Sequence, residues 1–216
     1  MKYKTLLEHY ESCLDRHGDS HRGVDWPNLQ DAEVRYDVMI NLVPPREINF
    51  SLLDFGCGAG HLLEYLRRTT RRDFRYAGAD LSLKFISLCK AKFPHENFFT
   101  IDLLNKEMPE KFDYIIANGV FTEKMGLSFE EMFKWFCGML EKLFLSCNKG
   151  IAFNIMSPHV DWKRDDLFHL PLDLLAGFLG QKLSRHFVIR QDYGLYEYTV
   201  YLYREPRYET SYSQRK

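Results

Sequence analysis

The chain has 216 residues, 45% of them hydrophobic and 27% charged, and a formal net charge of −1 at pH 7. That length suits one main domain and that composition a globular core, while the neutral balance argues against the basic footprint of a nucleic-acid-binding protein. The five cysteines (Cys13, Cys57, Cys89, Cys137 and Cys147) are odd in number, widely spaced and without a CxxC pair, which argues against a disulfide framework or a four-thiolate zinc site.

The opening MKYKTLLEHYESC lacks the apolar run of a signal peptide, and no later run approaches a membrane span. Reduced thiols in the cytoplasm are therefore expected. Residues 1–22 begin with an amphipathic pattern around Leu6, Leu7 and Tyr10 and turn polar from Arg16. GVDWPNLQ follows as a loop punctuated by Gly23 and Pro27. Residues 31–42 read as a helix with Ala32, Tyr36, Met39 and Ile40 on one side, ended by Pro44 and Pro45. Cys13, His17 and His21 recur every four residues, as ligands on one helix face would. Gly18 interrupts that helix and a fourth ligand is lacking, so no metal is expected.

From residue 48 short apolar runs alternate with helical stretches. Strands are predicted over 51–55, 74–79, 97–101, 112–117 and 150–156, and helices over 61–68, 83–92 and 129–146. Strands apolar at nearly every position and separated by helices imply a parallel sheet buried on both faces. A basic cluster (Arg67, Arg68, Arg71, Arg72 and Arg75) falls near a helix end, where cations complement the macrodipole. A further helix over 172–183 precedes strands at 186–191 and 194–203, joined by a turn too short for a parallel crossover and so forming an antiparallel hairpin. The expected organisation is a helical cap or lid over 1–47, a main domain over 48–204 and a polar tail over 205–216.

The strongest signal is SLLDFGCGAGHLLEYL at residues 51–66. A strand ends in Asp54 and Phe55, a glycine-rich turn follows, and a helix starts near His61. Gly56, Gly58 and Gly60 permit a sharp turn and the close approach of a ligand. The spacing is G-x-G-x-G, and His61 stands where the dinucleotide fingerprint G-x-G-x-x-G has its last glycine. Asp80 ends the second strand, 20 residues beyond Gly60, where a carboxylate can accept from both hydroxyls of a ribose. Its alternative role is the N-cap of the next helix, a position Ser82 could also fill.

DFGCGAG followed by GADLS resembles motifs I and II of the class I S-adenosylmethionine-dependent methyltransferases. FFTIDLL at 98–104 resembles motif III, FDYIIANGVF at 112–121 resembles motif IV, and the helix and hairpin over 171–204 are similar to the family's antiparallel seventh strand. The resemblance implies a Rossmann-like α/β fold: a three-layer sandwich around a mostly parallel seven-stranded sheet, with a C-terminal antiparallel hairpin and an N-terminal helical cap. It implies S-adenosylmethionine as cofactor, with Asp54, Gly56, Cys57, Gly58 and Gly60 at its amino-acid end. By the same resemblance Asp80 takes the ribose, Leu81 packs on the adenine, Asp102 and Leu103 lie beside it, and Asn118 and Gly119 line the floor near the sulfonium. HGDSHRGVDWPN resembles the lid of small-molecule methyltransferases, which would set Trp26 over the pocket and Arg35 or Tyr36 on the cofactor carboxylate. A surface helix packed on the sheet is the alternative.

A base is needed only if the nucleophile arrives protonated. In SPHVDWKRDDLFHL at 157–170, His159 has the ordinary pKa best suited to that work, with Asp161 beside it; an exposed loop histidine is the other reading. Glu123 and Lys124, after the fourth strand, are further candidates. ANGVF lacks the Asn/Asp-Pro-Pro-aromatic motif of nucleic-acid amino-group methyltransferases. The expectation is therefore a small-molecule acceptor, with O-methylation of a hydroxyl in a natural-product or polysaccharide-type pathway. N-methylation of a small amine and a non-catalytic cofactor-binding or partner-regulating protein are the alternatives. A nicotinamide oxidoreductase is opposed by the glycine spacing and the hairpin. No nucleic-acid or membrane partner is expected, and the assembly is expected to be a monomer or homodimer.

Overall fold

The computed structural model describes residues 4–69 and 73–208. The N-terminal segment forms α1 (Lys4–His17), a single 3-10 turn (His21–Val24) and α2 (Leu29–Ile40). Strands and helices then alternate: β1 (Phe50–Phe55), α3 (His61–Thr69), β2 (Phe74–Asp80), α4 (Leu83–Lys92), β3 (Asn97–Thr100), β4 (Phe112–Ala117), α5 (Phe129–Leu145) and β5 (Cys147–Met156). The chain closes with α6 (Leu172–Phe178), a π turn (Leu179–Leu183), β6 (His186–Arg190) and β7 (Glu197–Tyr203). The seven strands form one sheet in the order β3-β2-β1-β4-β5-β7-β6. Strands β1 to β5 are parallel, while β7 runs antiparallel to both β5 and β6. The expected α/β sandwich with its terminal hairpin is thus present.

The period-2 alternation of β1 divides the interior in two. Leu53 and Phe55 join Phe136, Leu140 and Leu175 in the core shared with α5 and α6. Phe50 and Leu52 face the opposite core, with Met39, Leu63 and Ile86 from α2, α3 and α4. The predicted cap is therefore split: α2 belongs to a layer of the sandwich, and the Tyr201 hydroxyl donates to the Val38 carbonyl at 2.6 Å. Helix α1, the 3-10 turn and the Asp25–Trp26 segment after it border the cavity at the carboxyl ends of the strands.

Boundaries moved where side chains cap or turns intervene. Asn28 accepts from the Asp31 amide at 2.7 Å and starts α2 two residues before its apolar pattern. Strand β5 begins at Cys147, which pairs with Phe112. Strand β7 begins only at Glu197, because Gly194 adopts φ 78° in the preceding turn. Two expectations fall partly outside the described residues: Arg71 and Arg72 of the basic cluster, and the polar tail from residue 209. Among the described residues no helix is long and apolar enough to cross a membrane.

Candidate functional site

A cavity opens at the carboxyl ends of β1, β2 and β4, beneath α1 and the 3-10 turn. This is where open α/β sheets bind ligands, because the strand order reverses there and the loops diverge. Strand β1 delivers Asp54, after which the chain turns at Gly56 and Gly58, with φ of 76° and 50°. A Cβ on Gly56 would come within 2.5 Å of the Val120 side chain, so the turn demands glycine in both conformation and space. The turn is held by Gly56 and Cys57 amides donating to the Ala79 carbonyl at 2.7 and 3.1 Å.

Asp54 is 3% exposed and accepts from the Tyr76 hydroxyl at 2.7 Å. Burial pushes its carboxyl up to about 7, against the Tyr76 hydrogen bond and aided by the nearby charge of Asp80. Asp80 accepts from the Gly58 amide at 3.0 Å and the Ser82 amide at 2.8 Å. Burial also raises its pKa, and the Ser82, Gly58 and Leu81 amides pull it back down. The N-cap of α4 is Ser82, whose hydroxyl accepts from the Phe85 amide at 3.3 Å, so Asp80 does not serve as that cap. Asp80 thus spends much of its acceptor capacity on the loop while still bordering the cavity.

Leu81, Asp102 and Leu103 continue the wall from β2 and β3. At the end of β4, Asn118 lies on the wall with its Oδ1 atom buried and without a partner. The Gly119 amide donates to Asn154 Oδ1 at 2.7 Å, and a Cβ on Gly119 would stand 2.9 Å from the Trp26 ring. Of the residues expected to touch a cofactor, Asp54, Gly56, Cys57, Gly58, Asp80, Leu81, Asp102, Leu103, Asn118, Gly119 and Trp26 all border this one cavity. Gly60 and Arg35 do not. The Cβ position of Gly60 faces Phe93 and Cys89, so its role is the packing of α4 against the loop. Arg35 is held by Glu197, with Nε at 2.9 and 3.1 Å and Nη2 at 2.9 Å, and its guanidinium lies 4.3 Å from the Trp26 ring. Arg35 Nη1 is buried without a partner.

His159 and Asp161, the expected base and its neighbour, lie off the wall of this cavity. Ser157 is pinned by its amide to the Tyr196 carbonyl at 3.0 Å, and the chain beyond it runs across the β6–β7 turn. There the Tyr196 hydroxyl donates to Asp161 at 3.4 Å, Trp162 meets the Tyr196 ring edge-on at 5.3 Å, and His159 is exposed. The roof carries the ionisable groups instead. Tyr10 of α1, Asp25 after the 3-10 turn and Glu123 after β4 all border the cavity. His9 Nε2 lies 2.8 Å from Asp25 and 3.9 Å from Glu123. Asp25 is held in a left-handed conformation, φ 62°, by its amide donating back to the carbonyls of His21 and Arg22. Burial pushes the Glu123 carboxyl up to about 7; Asp25 adds to that shift, and His9 and Arg164 oppose it.

His9, Tyr10 and Asp25 have no strand-end position in the sequence to mark them. Cys13 faces His9, Sγ to Nε2 3.9 Å, and takes Arg16 Nη2 at 3.4 Å. His9, Cys13 and Asp25 keep their donor atoms within 4.8 Å of one another. The 2.8 Å separation of His9 and Asp25 is a hydrogen bond; two ligands of one tetrahedral zinc ion stand roughly 3.3 Å apart.

The roof is pinned to the loops beneath it. Ser82 donates to Glu11 at 2.6 Å, Lys84 pairs with Asp15 at 2.8 Å, and Asp19 meets both His61 and Lys92 at 2.8 Å. The described wall carries Asp25, Asp54, Asp80, Asp102 and Glu123 and has neither Lys nor Arg. Such a wall suits a cationic ligand rich in hydrogen-bond donors and repels a pyrophosphate. The glycine cradle, the orphaned Asn118 oxygen and these carboxylates fit S-adenosylmethionine, which bears an ammonium, a sulfonium and two ribose hydroxyls.

The comparisons agree. The profile of a family described as a methyltransferase domain matches residues 53–133, from within β1 to within α5. The Mycobacterium tuberculosis protein Rv1506c, named as a methyltransferase, is 28% identical over 158 residues, 70% of this chain and 91% of that protein. Magnesium protoporphyrin IX methyltransferase from Synechocystis PCC 6803, solved with bound S-adenosylmethionine, superposes with a TM-score of 0.65 at 16% identity, over 94% of this chain and 97% of that one. A TehB-like S-adenosylmethionine-dependent methyltransferase from Corynebacterium glutamicum has a TM-score of 0.56 at 17% identity, over 91% and 98% of the two chains.

Proposed function

We infer that this chain, which belongs to the class I S-adenosylmethionine-dependent methyltransferases, methylates a hydroxyl of a small molecule that enters beneath the α1 roof. The observation that supports this reading most is the convergence of the β1, β2, β3 and β4 loops on one cavity whose described wall is acidic and free of Lys and Arg. When bound, the cofactor supplies an electrophilic methyl group on a sulfonium. Asp54 and the Gly56–Gly58 turn hold its amino-acid end, Asp80 takes the ribose hydroxyls, and Leu81 packs on the adenine. Asp102 accepts from the adenine amino group beside Leu103. Asn118 and Gly119 form the floor near the reacting carbon, and Trp26 closes over it.

Arg35 contributes its unpartnered Nη1 donor beneath Trp26, where a shift of that indole would open it to the cofactor carboxylate. His159 and Asp161 take no part. The chain's chief tasks are alignment and the exclusion of water, which alone can contribute ~7–11 kcal/mol. A natural-product or polysaccharide-type hydroxyl remains the preferred acceptor. The roof carboxylates Asp25 and Glu123 favour a second reading, N-methylation of a small amine.

The test is calorimetric titration with S-adenosylmethionine, S-adenosylhomocysteine and NADH, followed by turnover assays on a panel of alcohols and amines. Micromolar binding of the first two compounds and methylation of alcohols is the expected result. Binding of NADH alone would reject the cofactor assignment, and turnover of amines but not alcohols would select the second reading.

A further inference from the structure

Three of the five wall carboxylates (Asp54, Asp80 and Asp102) stand on the strand-end loops that hold the cofactor. Two do not. Asp25 comes from the cap and Glu123 from the loop after β4, and they meet above the cavity through His9, at 2.8 and 3.9 Å. The three residues come from three separate segments, so the arrangement is a product of tertiary packing rather than a run of surface acids. Tyr10 flanks them, and the neighbouring floor presents the buried, unpartnered Oδ1 of Asn118. Buried polar atoms without partners are rare and call for a bonding group. Asp25, Glu123 and the Asn118 Oδ1 are hydrogen-bond acceptors, and the Tyr10 hydroxyl can act as one.

We propose that this roof is the acceptor subsite: Asp25 and Glu123, with His9 hydrogen-bonded to Asp25, receive a neutral or cationic small molecule through its O–H or N–H groups, and Glu123 takes the proton of the reacting one. The assignment rests on the cavity being the cofactor site, and it goes further by naming the charge class of the acceptor. A molecule bearing phosphate or carboxylate would bring negative charge against two carboxylates on a wall whose described residues include no Lys or Arg to offset it. An amino alcohol, an amino sugar or an uncharged polyol would place donors on acceptors. In the transfer, the acceptor's heteroatom gives an electron pair to the methyl carbon, whose bond to sulfur breaks with its pair left on sulfur. The proton of the acceptor passes to a carboxylate oxygen of Glu123, so the sulfonium charge is removed and the carboxylate charge is neutralised. His9 is a positioning residue, fixing Asp25 beside Glu123 through its 2.8 Å hydrogen bond.

The experiment is ligand-observed NMR on the full chain saturated with S-adenosylhomocysteine. The probes are four matched sugars: glucosamine, glucose, glucuronate and glucose 6-phosphate. Saturation transfer to glucosamine and glucose, with none to the two anions, is the expected result, and the signal should fall at least fivefold in D25N and E123Q. Both variants should bind S-adenosylhomocysteine within twofold of the parent, which separates a roof defect from a cofactor-site defect. Transfer to the anions, no transfer to either neutral or cationic sugar, or full transfer in both variants would overturn the subsite. If S-adenosylhomocysteine itself does not bind, the cofactor reading falls, and the same four sugars still test the roof on the chain alone.

Discussion

Arg35 of α2 and Glu197 of β7 are 162 residues apart in sequence and share a two-pronged ion pair, with Nε and Nη2 each 2.9 Å from Oε2. Their side chains are 11% and 1% exposed. Asn154 of β5 donates to the same carboxylate at 2.8 Å and accepts from the Gly119 amide at 2.7 Å. Trp26 completes the circuit, stacked on Arg35 and seated 2.9 Å from where a Cβ on Gly119 would be. A single buried polar network thus fixes the lid indole above the floor of the cavity.

Removing Glu197 leaves a guanidinium buried without its counter-charge. Breaking such a pair from one side costs about 3–5 kcal/mol. E197A is expected to lose that amount in urea unfolding and to bind S-adenosylhomocysteine more weakly, because the Gly119 floor loses its tether through Asn154. A stability loss below about 1 kcal/mol would show that water replaces the carboxylate and that the network is not closed.

Asp80→Asn tests the ribose assignment with little change in shape. The amide nitrogen must replace either the oxygen that takes the Gly58 amide or the one that takes the Ser82 amide, setting donor against donor. Either way the ligand loses a charged acceptor, and hydrogen bonds to charged groups contribute about 1.5–3 kcal/mol each. Calorimetry on a variant with unchanged circular dichroism should give an affinity for S-adenosylhomocysteine at least tenfold weaker. Parent-like affinity would remove Asp80 from the site.

Asp54 should report the cofactor's ammonium through a proton. In the free chain its carboxyl is pushed up to about 7, so below neutrality it is mostly protonated. A positive group bound beside it favours the ionised form, and binding at pH 6 should release a proton. The enthalpy of binding should then vary with the ionisation enthalpy of the buffer in the parent and not in D54N. The same shift couples to stability: the folded state holds this proton more tightly than the unfolded state. The Asp54 contribution is therefore complete below the ordinary carboxylate range and is lost as pH rises through about 7.

Much of this site was legible in the sequence because strand ends are legible. A parallel strand is an unbroken apolar run, so Asp54, Asp80 and Asn118 are marked by where such runs stop, and the glycines mark the turn between them. Arg35 shows the limit. Its partner Glu197 lies in β7, and helix periodicity carries no information about a partner 162 residues away. The placement of His159 shows a related limit. An imidazole is a chemically apt base, but the pinning of Ser157 to Tyr196 and the packing of Trp162 on Tyr196 direct its loop over the hairpin. Glu123 could be named from its place after the fourth strand, but its roof partners His9, Tyr10 and Asp25 come from a helix and the end of a 3-10 turn that meet only on folding, and a left-handed Asp25 leaves no mark in composition.

The roof makes a final prediction on pH. Glu123 accepts a proton only when ionised, and burial holds its carboxyl at about 7. The rate at low substrate should therefore rise with pH to a plateau, with a midpoint near 7, since kcat/KM reports the free enzyme's groups. The groups that face Glu123 set the direction of each variant: Asp25 and Asp166 raise its pKa, while His9 and Arg164 lower it. D25N should move the midpoint to lower pH and H9Q to higher pH, opposite shifts that a merely structural role for these residues would not produce. E123Q should lower kcat/KM by ~10²–10⁴-fold and abolish the rising limb. H159A should leave both rate and midpoint unchanged, because that imidazole lies outside the cavity. A profile that keeps its midpoint in E123Q would transfer the proton to another group, and equal shifts in D25N and H9Q would dissolve the cluster as an electrostatic unit.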